Sequence, residues 1–172
     1  MSTMTRAEIP PAIADNQSFL LKRIQPALSG LMDGSLSTLA PIFAVMLATH
    51  HPLTAFYTGA ATALGAGVSM AFSEGLSDTG DLTGRGRPVL RGAITGGGTF
   101  AGGIFHTLPF LLPGYRTAIY AAIVVVAVEL LALAWLRHKF FQTSFARSFV
   151  AVTVGGAIIA TLSGVLGVLA AG

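Results

Sequence analysis

The chain has 172 residues, of which 53% are hydrophobic and 10% are charged, whereas ordinary soluble domains carry about 25% charged residues. So small a polar share cannot cover a water-facing surface, which excludes an ordinary soluble domain and favours an integral membrane protein. The net charge of +3 is better explained by basic loops that set membrane topology than by nucleic-acid binding, and the absence of cysteine excludes disulfides, thiolate metal sites and cysteine nucleophiles.

The N-terminal 24 residues differ in composition from the rest of the chain. They contain Pro10, Pro11, Asp15, Lys22 and Arg23, and they lack the apolar core of a cleavable signal. Residues 1–24 are therefore predicted to form a short cytoplasmic arm, whose SFLLKRI segment lies along the membrane interface. Residues 25–172 are predicted to form a single membrane-spanning domain.

Five segments have the roughly 20 mostly apolar residues that a membrane-spanning helix needs. They cover about residues 26–48, 54–77, 90–112, 115–137 and 147–170. If the N-terminus is cytoplasmic, nine basic residues of the arm and loops lie on the cytoplasmic side, and only Arg116 lies outside. This asymmetry follows the positive-inside rule. The sequence thus predicts an all-α membrane protein with five transmembrane helices, a cytoplasmic N-terminus and an outside C-terminus.

Small residues are dense in the second, third and fifth spans. The stretches are GAATALGAG, GAITGGGTFAGG, and the series Gly156, Ala160 and Gly164 at steps of four residues. Such surfaces let helix backbones approach closely in lipid. They predict either tight packing within one chain or a homodimer, and the sequence leaves both open.

The first span contains an acidic residue, Asp33, about two turns from its predicted cytoplasmic end, and Pro41 two turns later. An ionisable residue inside a span is costly and is therefore a candidate functional residue. Proline frees a backbone carbonyl and can open a polar cavity. The alternative is that Asp33 is a buried hydrogen-bonding group between helices.

The second span ends with SMAFSEGLSDTGD, in which Met70, Glu74 and Asp78 are four residues apart and share one helix face. The predicted topology places Asp78 at the cytoplasmic mouth and Met70 at the depth of Asp33. The stripe therefore predicts a graded entry path for a cation. The alternatives are an apolar filler role for Met70, a snorkelling Glu74, and a solvated loop position for Asp78 beside Asp81.

Two more ionisable residues lie in the fourth and third spans. Glu129 is about two turns from the cytoplasmic end of its span and close to the level of Asp33. It is either part of the same site or a structural partner of a polar group on another span. His106 is predicted nearer the outer face, as a proton relay or exit-side metal ligand, or as a hydrogen-bonded interior histidine.

The predicted metal set is Asp33, Met70, Glu74, Glu129 and Asp78, of which the first three are central. Carboxylate oxygens combined with a thioether suit Fe²⁺ better than Mg²⁺ or Ca²⁺, which prefer shells made only of oxygen. A carboxylate must be deprotonated to bind metal, so metal and protons compete for the same groups. This competition is a simple physical basis for metal–proton antiport.

The stretches GLMDGSLSTLAPIFAV and GVSMAFSEGLS resemble the first two spans of the vacuolar iron transporter family. The prolines of HTLPFLLP are similar to that family's Pro-rich end of the third span. The LTGRGRPVLRG loop and the VVVAVELLALAWLRH span most resemble the membrane domain of bacterial membrane-bound ferritin-like iron exporters. The resemblance covers about residues 25–170.

The resemblance implies a homodimer that exports Fe²⁺, and often Mn²⁺, from the cytoplasm in exchange for protons. It implies that Asp33 and Met70 lie on the ion pathway and that Glu74 is the acid that follows the Ser-Met pair. The metal would be a substrate, and no permanently bound cofactor is expected. No motif predicts an enzyme, and the expected location is the bacterial inner membrane.

The chain also departs from these relatives. The metal-collecting helical insert between spans two and three is replaced by DTGDLTGRGRPVLR, and Ala66 stands where many members have an Asp. A diiron ferritin-like domain is missing as well, so we expect either a separate cytosolic iron-storage protein as a partner or uptake directly from the cytosolic metal pool. The rival hypothesis is a non-transporting membrane subunit or anchor whose buried carboxylates are structural.

Overall fold

A computed structural model describes residues 17–77, 79–80 and 83–170. This part of the chain is built of five long helices without a strand, which confirms the all-α prediction. The helices are α1 Gln17–Thr49, α2 Pro52–Leu76, α3 Pro88–Thr107, α4 Tyr115–Phe141 and α5 Phe145–Ala170. A 3₁₀ turn, Leu108–Leu111, follows α3.

Four of these helices, α1, α2, α4 and α5, are long and apolar enough to cross a membrane. The remaining helix, α3, is less apolar because its 20 residues include six glycines, three threonines, Arg91 and His106. Both of these ionisable side chains are buried. The polar groups of α3 therefore lie against neighbouring helices, where hydrogen bonds offset the cost of removing them from water.

Helix α1 includes residues before the predicted start of the first span at residue 26, so residues 17–24 of the predicted arm are helical. A π-helical stretch, Leu20–Ile24, lies just before Pro26, and the Gln25 N–H donates to the carbonyl oxygen of Leu20. Pro26 has no N–H, and its ring crowds the carbonyl four residues earlier. A wider turn at this point relieves the conflict and lets the helix continue.

Helix α3 ends at Thr107, whereas the third span was predicted to reach residue 112. Pro109 has no N–H for an α-helical hydrogen bond, and the chain tightens into the 3₁₀ turn. Thr107 and Ile42 both lie beside Gly59. From Ile42, α1 continues for seven residues to Thr49, a further distance of about 10 Å. The end of α3 therefore lies inside the bundle and not at its outer edge.

Helix α3 packs closely against both α1 and α2. A Cβ atom added at Gly34 of α1 would overlap the carbonyl oxygen of Thr99, and one added at Gly96 of α3 would overlap that of Gly67. The small residues of the second and third spans thus serve packing within the chain, which is one of the two uses that the sequence left open. In α5, Gly156 has space for a Cβ atom at 3.7 Å from Leu130, whereas one added at Gly167 would overlap the carbonyl oxygen of Ala44.

This packing predicts that Gly34→Ala destabilises the protein. The new methyl group overlaps backbone atoms of Thr99, which cannot rotate away, so the expected cost is about 1–3 kcal/mol. Thermal unfolding in detergent measures the effect. Gly97→Ala is the matched control, because no atom lies within 4 Å of its added Cβ and alanine favours helix. Equal melting temperatures for the two variants would contradict the close contact.

Candidate functional site

Glu129 of α4 joins two other helices inside the bundle. Its Oε1 atom forms a short hydrogen bond with the Ser35 hydroxyl of α1, and its Oε2 atom lies 3.2 Å from Nε2 of His106 on α3. The His106 residue is 2% exposed, and Ser35 is fully buried. From the sequence, Glu129 and His106 were expected at different depths. The early end of α3 explains why they meet.

Each partner of Glu129 is held by its own helix. Nδ1 of His106 lies 2.9 Å from the carbonyl oxygen of Gly102, and the Ser35 hydroxyl lies 2.7 Å from the carbonyl oxygen of Leu31, which shares the one hydroxyl hydrogen with Oε1 of Glu129. These bonds fix how the imidazole and the hydroxyl face the carboxyl group. The three side chains form one polar cluster in otherwise apolar surroundings.

Glu129 also lines an apolar groove of about 420 Å³ on the surface of the bundle. Its walls come from α1, α3 and α4 and include Leu31, Phe105, Val125 and Leu133. The Glu129 side chain is 15% exposed. An unpaired charge in such surroundings is costly, so the hydrogen bond from Ser35 is needed to hold a carboxyl group here.

Glu74 of α2 is held between two arginines. Its Oε1 atom lies 2.6 Å from Nη2 of Arg85 and 2.5 Å from Nε of Arg91. The Arg91 side chain is 1% exposed and also donates from Nη2 to the Glu74 carbonyl oxygen, at 3.1 Å, and to the Ser77 hydroxyl, at 3.0 Å. This network fastens the end of α2 to the start of α3. A cation could bind Glu74 only if the guanidinium groups moved away.

Asp33 and Met70, the two central residues of the predicted pathway, are both partly buried. Among the described residues, Asp33 has neither a hydrogen-bond nor an ion-pair partner. The structure therefore gives no support to the alternative in which Asp33 is a hydrogen-bonding link between helices. Asp78 and Asp81 lie outside the described residues.

The acidic residues of the predicted metal set that the structure describes, Asp33, Glu74 and Glu129, do not form one cluster. In the part that the structure describes, no group of three His, Asp or Glu side chains is placed to hold a metal ion. Glu129 pairs with His106, Glu74 pairs with the arginines, and Asp33 stands apart from both pairs.

Four residues of these clusters were not predicted as site residues, namely Ser35, Ser77, Arg85 and Arg91. Arg91 gave a usable signal, because it falls inside the predicted third span, where a charged residue needs a buried partner. It was counted among the loop charges instead. Ser35, Ser77 and Arg85 carried no comparable signal, since hydroxyls and loop arginines are common.

Comparison with known proteins finds no family model, no curated protein and no solved structure that matches this chain. The resemblance to the vacuolar iron transporter family stays a prediction from the sequence.

Proposed function

We propose that the chain is a five-span transporter that moves a divalent transition-metal ion, Fe²⁺ or Mn²⁺, out of the cytoplasm in exchange for protons. The observation that carries the proposal is the meeting of Glu129 and His106 inside a bundle of apolar helices. A carboxylate and an imidazole are expensive in this position. Both are ligands for transition metals, and both exchange protons.

Two features support α3 as the fifth span. Its polar residues are buried against α1 and α2, so its lower apolarity does not require contact with water. In addition, only five spans leave the basic residues of the arm and loops, apart from the buried Arg91, on one side of the membrane, with Arg116 alone on the other. In the proposed topology the N-terminus is cytoplasmic and the C-terminus lies outside.

The proposed pathway begins at the cytoplasmic end of α2 with Asp78 and Glu74 and continues past Met70 and Asp33. Asp33 supports this path because its carboxylate is not occupied by any described residue. In the conformation described, Glu74 is occupied by Arg85 and Arg91. Ion entry would therefore require these arginines to move.

The further parts of the proposal follow from the resemblance. The transporter would act as a homodimer in the bacterial inner membrane, and a separate cytosolic iron-storage protein would supply or receive metal. It would hold no permanent cofactor, since the metal is its substrate.

The rival proposal is a non-transporting membrane subunit or anchor, and one observation favours it. The ion pairs of Glu74 and the contacts of Glu129 each join two or more helices, as structural groups do. In that case the carboxylates would contribute to stability and not to ion movement.

Metal flux into proteoliposomes tests the two proposals. With protein oriented in both directions and the vesicle lumen acidified, we expect saturable uptake of Fe²⁺ and Mn²⁺. Uptake should fall when the pH gradient is collapsed, because the carboxylates must release protons to bind metal. Mg²⁺ should be transported poorly, since it prefers an all-oxygen shell with several waters.

Protein-free vesicles give the background leak in this experiment, and Zn²⁺ tests the breadth of selectivity. Uptake no faster than the leak for every metal would contradict transport and favour the anchor. Equal rates for Mg²⁺ and Fe²⁺ would contradict a transition-metal site.

A further inference from the structure

The ring of His106 is held in one orientation by its own helix. Its Nδ1 atom lies 2.9 Å from the carbonyl oxygen of Gly102, one turn earlier in α3. A carbonyl oxygen only accepts hydrogen bonds, so Nδ1 carries the hydrogen and donates it. In the neutral ring, Nε2 then presents a lone pair. Metal-binding histidines are commonly fixed in this way, with a backbone carbonyl on the other ring nitrogen.

That lone pair faces a second electron-rich atom. Nε2 of His106 lies 3.2 Å from Oε2 of Glu129, and within the described part of the chain both atoms are buried without a hydrogen-bond partner. The two atoms are close enough for a hydrogen bond but are not aligned for one, so a shared proton does not satisfy them. A cation that both atoms could bind at an angle would satisfy them.

The distance between the two atoms fits such a cation. Two ligands that bind a tetrahedral ion at about 2.0 Å stand about 3.3 Å apart. The observed separation of 3.2 Å between Nε2 of His106 and Oε2 of Glu129 is close to this value. The ligands would hardly need to move on binding.

The other carboxylate oxygen is already engaged. The Ser35 hydroxyl of α1 contacts Oε1 of Glu129 and is itself bonded to the Leu31 carbonyl oxygen. Ser35 thereby aims Oε2 toward His106. Three helices thus meet at this buried position: α4 and α3 provide the two ligand atoms, and α1 provides Ser35, which positions one of them.

We propose that Oε2 of Glu129 and Nε2 of His106 bind the transported divalent transition-metal ion at a point inside the bundle. The inference rests on the proposed transport function, and it gives the transported ion a nitrogen ligand. Imidazole nitrogen binds Mn²⁺, Fe²⁺, Co²⁺ and Zn²⁺ in preference to Mg²⁺ and Ca²⁺. Two protein ligands leave the other positions to water, which allows the ion to leave again.

Pulsed EPR of Mn²⁺ bound to the full chain in detergent tests this site, because a coordinated histidine gives a nitrogen hyperfine coupling. We expect the coupling in the wild-type protein and its loss in His106→Gln. Glu129→Gln should weaken Mn²⁺ binding at least about tenfold, the effect of losing roughly 1.4 kcal/mol of binding energy. His51→Gln removes an exposed histidine and, as the matched control, should change neither result.

A second design applies if His106→Gln does not fold. The chain has four histidines, and replacing His50, His51 and His138 with glutamine leaves His106 alone. Labelling this variant with ¹⁵N-histidine should then change the coupling from ¹⁴N to ¹⁵N. Absence of any nitrogen coupling, or a coupling that persists in His106→Gln, would overturn the assignment. An unchanged Mn²⁺ affinity in Glu129→Gln would also overturn it.

Flux measurements separate this inference from the proposed function. If His106→Gln transports metal as fast as the wild-type protein, the result would contradict the site but not the proposed transport function. A wild-type protein that shows the nitrogen coupling but no flux would support the site and contradict transport.

Discussion

Asp33→Ala is expected to abolish Fe²⁺ flux in proteoliposomes while leaving the melting temperature of the protein unchanged. Asp33 supplies a carboxylate on the proposed pathway, and loss of one ligand worth about 1.4 kcal/mol already slows or weakens a step tenfold. Stability should not fall, because Asp33 has no hydrogen-bond or ion-pair partner among the residues that the structure describes.

Two substitutions at the same position sharpen this result. Asp33→Asn keeps the size of the side chain but removes its charge, and it should be as inactive as Asp33→Ala. Asp33→Glu keeps the charge and should retain part of the flux. A variant with normal flux would remove Asp33 from the pathway. A lower melting temperature in Asp33→Asn would instead favour a structural role, as in the anchor proposal.

The five helices could be predicted because each apolar segment had to reach the length set by the bilayer. The ends of the helices were harder to predict from the sequence. Polar composition predicted an arm up to residue 24, yet residues 17–24 are helical because a π-helical stretch accommodates Pro26. The end of α3 at Thr107 depends on Pro109 and on packing beside Gly59. The length of an apolar segment predicts neither of these effects.

The individual candidate residues could be selected from the sequence because a charge in a span is costly wherever it lies. Their pairing could not be predicted, because the depth of each residue was counted along straight helices that cross the whole membrane. Helix α3 stops short, and His106 therefore reaches Glu129 rather than the outer face. The same counting treated Arg91 as a loop charge, although it is buried and paired with Glu74. Tertiary packing decides both cases.

Arg91→Met is expected to lower the free energy of unfolding by about 3 kcal/mol, the lower end of the usual cost of removing one partner of a buried ion pair. Methionine fills much of the same space but cannot donate to Glu74 or to the Ser77 hydroxyl. The lower end applies because the Glu74 side chain is 20% exposed and keeps Arg85. Denaturant unfolding in mixed micelles measures the loss.

Arg87→Met is the matched control for this experiment, because Arg87 is exposed one turn before Arg91, and it should cost less than about 0.5 kcal/mol. A double-mutant cycle of Arg91→Met with Glu74→Gln then isolates the pair. A strong coupling together with unchanged metal flux in Glu74→Gln would make Glu74 a structural group that joins α2 to α3. A weak coupling energy between Arg91 and Glu74, together with loss of metal flux in Glu74→Gln, would instead support Glu74 as part of the ion pathway. The arginines would then be partners that move away when the ion binds.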